Sequence, residues 1–238
     1  MKTNFTLPLY ILTLCLTFNS LCLHTASAQE PQIIGGYLLD GKDSFEELEA
    51  AVLTESKSKV KNLGGKGMKL PGGSIFMTPE SVGKEIGSIV KTKHPFLVKA
   101  ISFTVEENRM EGCKANLRIY RMESDDSLVN IVTIPIYQDI PKATEETVFS
   151  IAPEESIILQ PGEYYISLCL SEISREIMDK WAEAETWSEE ERFDKYRQDR
   201  IFFPLYLKSS YTRERPDLPL TRWGVNIGLT IYGTSGSI

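Results

Sequence analysis

The sequence predicts a mainly β protein, an antiparallel sandwich or barrel. Two observations carry this. From Ser74 onward, short runs rich in β-branched and aromatic residues recur, separated by turn signals. Within several runs apolar and polar residues alternate with period 2, which is the spacing of a half-buried strand. In Ala115–Ile119, Ala115, Leu117 and Ile119 alternate with Asn116 and Arg118. In Tyr164–Leu170, Ile166, Leu168 and Leu170 share a face.

The expected strands are 74–78, 84–93, 97–106, 115–122, 128–137, 147–151, 162–170, 202–208 and 223–233. Glu107-Asn108, Ser124-Asp125-Asp126, Pro141 and Gln160-Pro161-Gly162 punctuate them. One segment breaks the texture. Residues 171–200 hold ten acids and six bases, a net of −4. Ile173, Ile177, Trp181 and Ala184 form a stripe at helical spacing, and Ser188 with Glu191 forms a capping box. Two helices, 172–185 and 189–199, are therefore expected as an insertion in the sandwich. The stripe packs on the sheets, or else the insertion serves as a lid or docking element.

Upstream, Lys2, the apolar run Phe5–Phe18 and the small residues Ala26 and Ala28 have the layout of a secretory leader over residues 1–28. The run of about 14 residues is shorter than the roughly 20 that span a bilayer. Removing the leader takes 26 basic residues to 25 against 33 acids, so the charge moves from −7 to −8. The product is expected to be exported, to the periplasm, the outer membrane or the exterior, with no spanning segment left. Residues 29–73 read as an N-terminal segment, and 74–238 as the sandwich. Ser44 and Glu47 form a capping box for a short helix from Phe45 to about Leu53, with Phe45, Leu48 and Val52 on one face. Residues 54–73, rich in Lys, Ser and Gly, read as a loop.

Gly83–Ile89, Leu97–Phe103, Asn116–Tyr120 and Gly162–Leu168, in that order, resemble exported β-sandwich modules of Bacteroidota envelope proteins. Some of those modules sit beside carboxypeptidase-regulatory-like domains. The likeness covers about 74–170 plus the strand from Trp223 to Tyr232. It implies a jelly-roll-like sandwich and an envelope location, and it carries no catalytic residues. The acidic insertion departs from the pattern, and no regulatory-like domain is recognisable.

Composition excludes several functions. An acidic chain repels nucleic-acid phosphates. After the leader only His94 remains among histidines, beside Pro95, and there is no nucleophile elbow, so a His-based hydrolytic site has little to work with. Cys113, Cys169 and His94 do not form a compact metal-ligand set, and no cofactor is expected. Gly36–Asp43 approaches a phosphate loop but has Asp43 where a hydroxyl should hold magnesium. Ser56-x-x-Lys59 and Ser81-x-x-Lys84 lack companion motifs. Asp125-Asp126 reads as a solvated turn, with calcium the weaker alternative. A carboxylate pair for glycan hydrolysis stays open, since 33 acids offer many combinations.

Two readings of the cysteines also stay open. In an oxidising compartment Cys113 and Cys169 can pair, closing a 56-residue span worth about 4 kcal/mol in loop entropy. Alternatively they are two buried thiols. For binding, Tyr211, Arg213, Arg222 and Trp223 are the candidates, as aromatic faces with polar neighbours near the last strands. The leading expectation is a non-catalytic envelope module that binds a glycan or protein partner. The competitors are a carboxylate-based glycan hydrolase and a structural subunit of a surface assembly.

Overall fold

The structure is a computed structural model that describes residues 32–34, 37–39 and 60–235. The expected leader and the helix at 45–53 lie outside the described residues. Two antiparallel sheets share one core. The first has the order β10 (Ile136–Ile140), β8 (Cys113–Met122), β13 (Gly162–Glu172), β5 (Glu85–Thr92), β15 (Ser210–Arg213), β16 (Thr221–Trp223), with β9 (Leu128–Asn130) also on β8. The second has the order β11 (Thr147–Ile151), β6 (Phe96–Val105), β17 (Thr230–Ser235), β3 (Val60–Leu63), with β12 (Ile157–Leu159) also on β6. A three-stranded sheet of β4 (Met68–Met77), β14 (Ile201–Leu207) and β7 (Glu107–Asn108) continues from the end of β6. The short strands β1 (Gln32–Ile34) and β2 (Tyr37–Leu39) pair with each other.

Alternation places the core. Cys113, Ala115, Leu117 and Ile119 of β8 face inward beside Tyr164, Ile166, Leu168 and Leu170 of β13. Ile101, Phe103 and Val105 of β6, Phe149 of β11 and Ile231 of β17 meet them from the second sheet. Phe103 and Phe149 stack with ring centroids 5.1 Å apart. The expected mainly β, antiparallel sandwich is therefore what the chain adopts.

The differences lie where the chain changes partner. The stretch 223–233 is two strands, not one. β16 closes the first sheet and β17 enters the second, and Gly228 at φ 73 turns the chain between them. Asn226 Oδ1 accepts from the Gly228 amide at 2.7 Å and fixes that turn. The stretch 128–137 likewise divides into β9 and β10, with Asn130 Oδ1 capping the Val132 amide at the break. The expected loop at 54–73 contains β3 and the start of β4. Gly64, Gly65 and Gly67, all at positive φ, fold the chain tightly between them. The sandwich therefore already includes Val60, ahead of the expected boundary at Ser74.

The insertion forms α1 (Arg175–Trp181), a 3-10 turn at Ala184–Thr186 and α2 (Glu189–Gln198). Ser188 and Glu191 cap α2 reciprocally. Ile173, Trp181 and Ala184 are buried and Ile177 packs against the core, so the apolar stripe anchors the insertion. Trp181 sits at the centre of an aromatic cluster, 5.1 Å from Trp187 and 5.4 Å from Tyr196. Its indole N–H donates to Asp199 at 2.8 Å, and Lys180 donates to the same carboxylate.

Gly87, in the middle of β5, has a strict steric role. A β-carbon there would collide with the Ile166 carbonyl oxygen and the Ser167 backbone on β13. G87A is expected to cost about 3 kcal/mol or more, because main chain must move to admit it. Urea denaturation of G87A against wild type checks this, and a loss under about 1 kcal/mol would contradict it.

Candidate functional site

The residues that face away from the core on the first sheet build the site. On β5 these are Glu85, Gly87 and Ile89, and on β8 Arg118 and Tyr120. On β13 they are Tyr165, Ser167 and Cys169, and on β15 Tyr211 and Arg213. Such positions usually meet water, yet here several are fully covered. Glu85 is 2% exposed and Arg213 4%.

Burying a charge is costly unless it is paired and fully hydrogen-bonded. Glu85 meets that condition. Its Oε1 accepts from Arg118 Nη1 at 2.7 Å, from Arg213 Nη2 at 2.7 Å and from the Tyr120 hydroxyl at 3.0 Å. Its Oε2 accepts from the Ser167 hydroxyl at 2.8 Å. Arg213 also stacks on the Tyr120 ring, 4.5 Å from its centroid. Tyr120 stacks on Tyr165, whose hydroxyl donates to the Tyr211 carbonyl. Burial pushes both phenols upward in pKa, so they stay neutral donors. The cluster locks β5, β8, β13 and β15 together at their side chains.

Arg213 also reaches the loop that follows it, since Nη1 donates to the Pro216 carbonyl at 3.1 Å. That loop, 216–220, forms one wall of a cleft of about 550 Å³. The turn at the end of β8 forms the other, with Met122 and Leu128 facing the cleft and Asp126 at the turn tip. Ile89 and Tyr211 line it from the sheet. Asp126 is held at φ 63, and Asp217 on the opposite wall pairs with Arg215 at 3.1 Å. That guanidinium holds the Asp217 carboxyl below the usual carboxylate range. Both acids that line the cleft are exposed, whereas a general acid needs its pKa raised by burial.

The four binding candidates are divided by this geometry. Tyr211 lines the cleft. Arg213 also borders it but is a buried ion-pair partner, not a solvated arginine. Arg222 is exposed opposite Tyr211 in register, donating to Ser209 at 3.0 Å. Trp223, 39% exposed, pairs with Ser210, so strand alternation puts it on the other face from Tyr211. No shared aromatic platform results. Sequence reasoning missed Glu85, Arg118, Tyr120, Ser167 and the loop at 216–220. The polar face of Ala115–Ile119 was visible, but which strands flank it was not.

The cysteines are both free and buried. A bridge between them is excluded in this fold by strand parity. Cys169 lies opposite Asn116 on β8, an odd number of residues from Cys113, so the two thiols point to opposite faces of one sheet. Of the two readings, the structure has the thiols. Burial raises the Cys113 thiol from 9.0 to about 12, against a smaller opposing effect of its hydrogen bond to Asn108. At pH 8 only about one native Cys113 in ten thousand is thiolate, so alkylation of folded protein is expected to be very slow. Two thiols should alkylate at once in denaturant without reductant, as mass spectrometry can read. The unfolded thiol ionises near 9.0 and the folded one near 12, so burial of the neutral Cys113 thiol contributes its full stability below pH 9, and that contribution is lost as pH climbs toward 12.

His94 is exposed at the bend between β5 and β6. Asp125 caps the Ser127 amide at 3.1 Å. Among the described residues no group of three or more His, Cys, Asp or Glu is placed to hold a metal ion, and no helix is long and apolar enough to cross a membrane. Fold and site together define an antiparallel β-sandwich with a cleft walled by a loop and a turn on one sheet face. No protein-family model matches the chain, and no curated protein matches it.

Proposed function

We propose that this chain is a non-catalytic, exported envelope module that recognises a protein partner through the cleft between the turn at 123–127 and the loop at 216–220. The observation that carries this reading is the construction of the cleft. Two connecting segments wall it, and the ion cluster around Glu85 makes the sheet beneath it rigid. Preorganised walls reduce the ordering cost of binding, and binding residues concentrate on connections held by a rigid scaffold. The export layout of residues 1–28 and the likeness to envelope modules support the location. A glycan is the less supported ligand, because Tyr211 and Trp223 lie on different faces.

The test compares wild type with L128S/L218S, which strips apolar surface from both walls. Leu218 is 38% exposed, so its replacement leaves the core intact. A partner captured from envelope extract, then purified and titrated, should bind the variant at least about tenfold more weakly. A glycan array runs in parallel. Equal binding of the partner by both proteins would overturn the reading.

A further inference from the structure

The chemistry of the cleft walls restricts what can occupy it. Met122, Leu128, Pro216, Leu218 and Leu220 present aliphatic surface, with Ile89 between them. Among the described residues lining the cleft the cationic side chain is Arg213, whose Nη2 serves Glu85 and Nη1 the Pro216 carbonyl, while its Nε has no hydrogen-bond partner and is buried out of a ligand's reach. It offers little to an anionic ligand. The remaining charged groups of the lining are acceptors. Asp217 shares its carboxylate with Arg215. The Asp126 side chain makes no hydrogen bond or ion pair with the described residues and stands exposed at the turn tip. An aliphatic cleft with an uncompensated carboxylate at its rim complements an apolar group that has a cation beside it.

We infer that the occupant is a protein segment in which an aliphatic side chain is flanked by lysine or arginine. The inference rests on the reading of the cleft as the docking site and adds the chemistry of its partner. The aliphatic side chain enters between Leu128 and Leu218, and the cation meets Asp126.

The experiment uses the full chain and three fluorescein-labelled hexapeptides. Each has a Leu-Leu centre, flanked by Lys in the first, Glu in the second and Gln in the third. A neutral hexasaccharide is the fourth probe. Fluorescence anisotropy follows the peptides and calorimetry the saccharide. The Lys peptide should bind at least about tenfold more tightly than the Glu peptide at low salt, and the gap should narrow at high salt. L128S/L218S should weaken the Lys peptide by about tenfold or more. D126N should weaken it severalfold at low salt only. Circular dichroism confirms that both variants are folded.

Three results with the peptides overturn the inference. The Glu peptide binds as well as the Lys peptide, or no peptide binds, or the Lys peptide binds L128S/L218S unchanged. The last outcome means diffuse attraction to an acidic chain. Saccharide binding that is lost in L128S/L218S would keep the cleft as a docking site and refute the proposed occupant. A purified partner that binds wild type and L128S/L218S equally would refute the docking site itself.

Discussion

E85Q should destabilise the protein by about 3–5 kcal/mol, the cost of breaking a buried charge pair from one side. Two guanidiniums converge on this carboxylate. Arg213 is as buried as Glu85, and Arg118 keeps about a quarter of its side chain in water. Glutamine retains the shape and one acceptor, so the loss reports charge and not volume. For a domain of this size that corresponds to a fall in Tm of roughly 10 °C. Thermal and urea unfolding measure it. The double variant E85Q/R213M should be more stable than the sum of its single losses, because removing Arg213 also removes an uncompensated cation. A loss under about 1 kcal/mol in E85Q, or strict additivity in the cycle, would mean the cluster does not lock the sheet. The same variant reaches function, since Arg213 holds the loop at 216–220 and partner binding should weaken along with stability.

W181A should cost about 3–5 kcal/mol, the usual range for truncating a buried aromatic. Trp181 is the contact through which α1, Trp187 and α2 hold together, and its indole N–H satisfies Asp199. The damage should be local first. Hydrogen exchange should quicken across 174–199, while amides of β8 and β13 keep their protection. W181F isolates the hydrogen bond, since it keeps a ring but removes the donor, and about 1.5–3 kcal/mol is expected for a bond to a charged acceptor. Exchange that quickened equally in the sheets would show that the insertion is part of the main cooperative unit. Either result bears on whether residues 171–200, with their net charge of −4, can move independently of the sandwich.

Much of the fold was legible because its signals are local. The alternation in Ala115–Ile119 and Tyr164–Leu170 marks strands without knowledge of their neighbours. Ser188 with Glu191 marks a helix start, and the spacing of Ile173, Ile177, Trp181 and Ala184 marks a buried stripe. Each rests on backbone periodicity or on a hydrogen bond three residues long. The breaks at Gly224–Gly228 and after Asn130 were less legible, because those runs remain rich in strand formers while the chain changes sheet.

The site was legible only in fragments. Tyr211 and Arg213 were singled out, but for surface exposure that Arg213 does not have. Its role depends on Glu85, 128 positions away, and no short-range pattern links the two. The cysteines show the same limit. Their count and compartment permit a bridge, and the pairing of β13 with β8 forbids it.

What the sequence determined by itself was most of the strand segments and the two helices, the apolar faces of Ala115–Ile119 and Tyr164–Leu170, and the local excess of acid in 171–200. These follow from steric preference and hydrophobic periodicity, and both act over a few residues. The tertiary structure alone decided which outward faces are covered, where the two halves of the stretch 223–233 go, and that a turn and a loop meet across a cleft. These depend on strand pairing between distant parts of the chain. Burial then converts an ordinary polar residue such as Glu85 into the centre of a charge cluster, because charges removed from water must find partners within the fold.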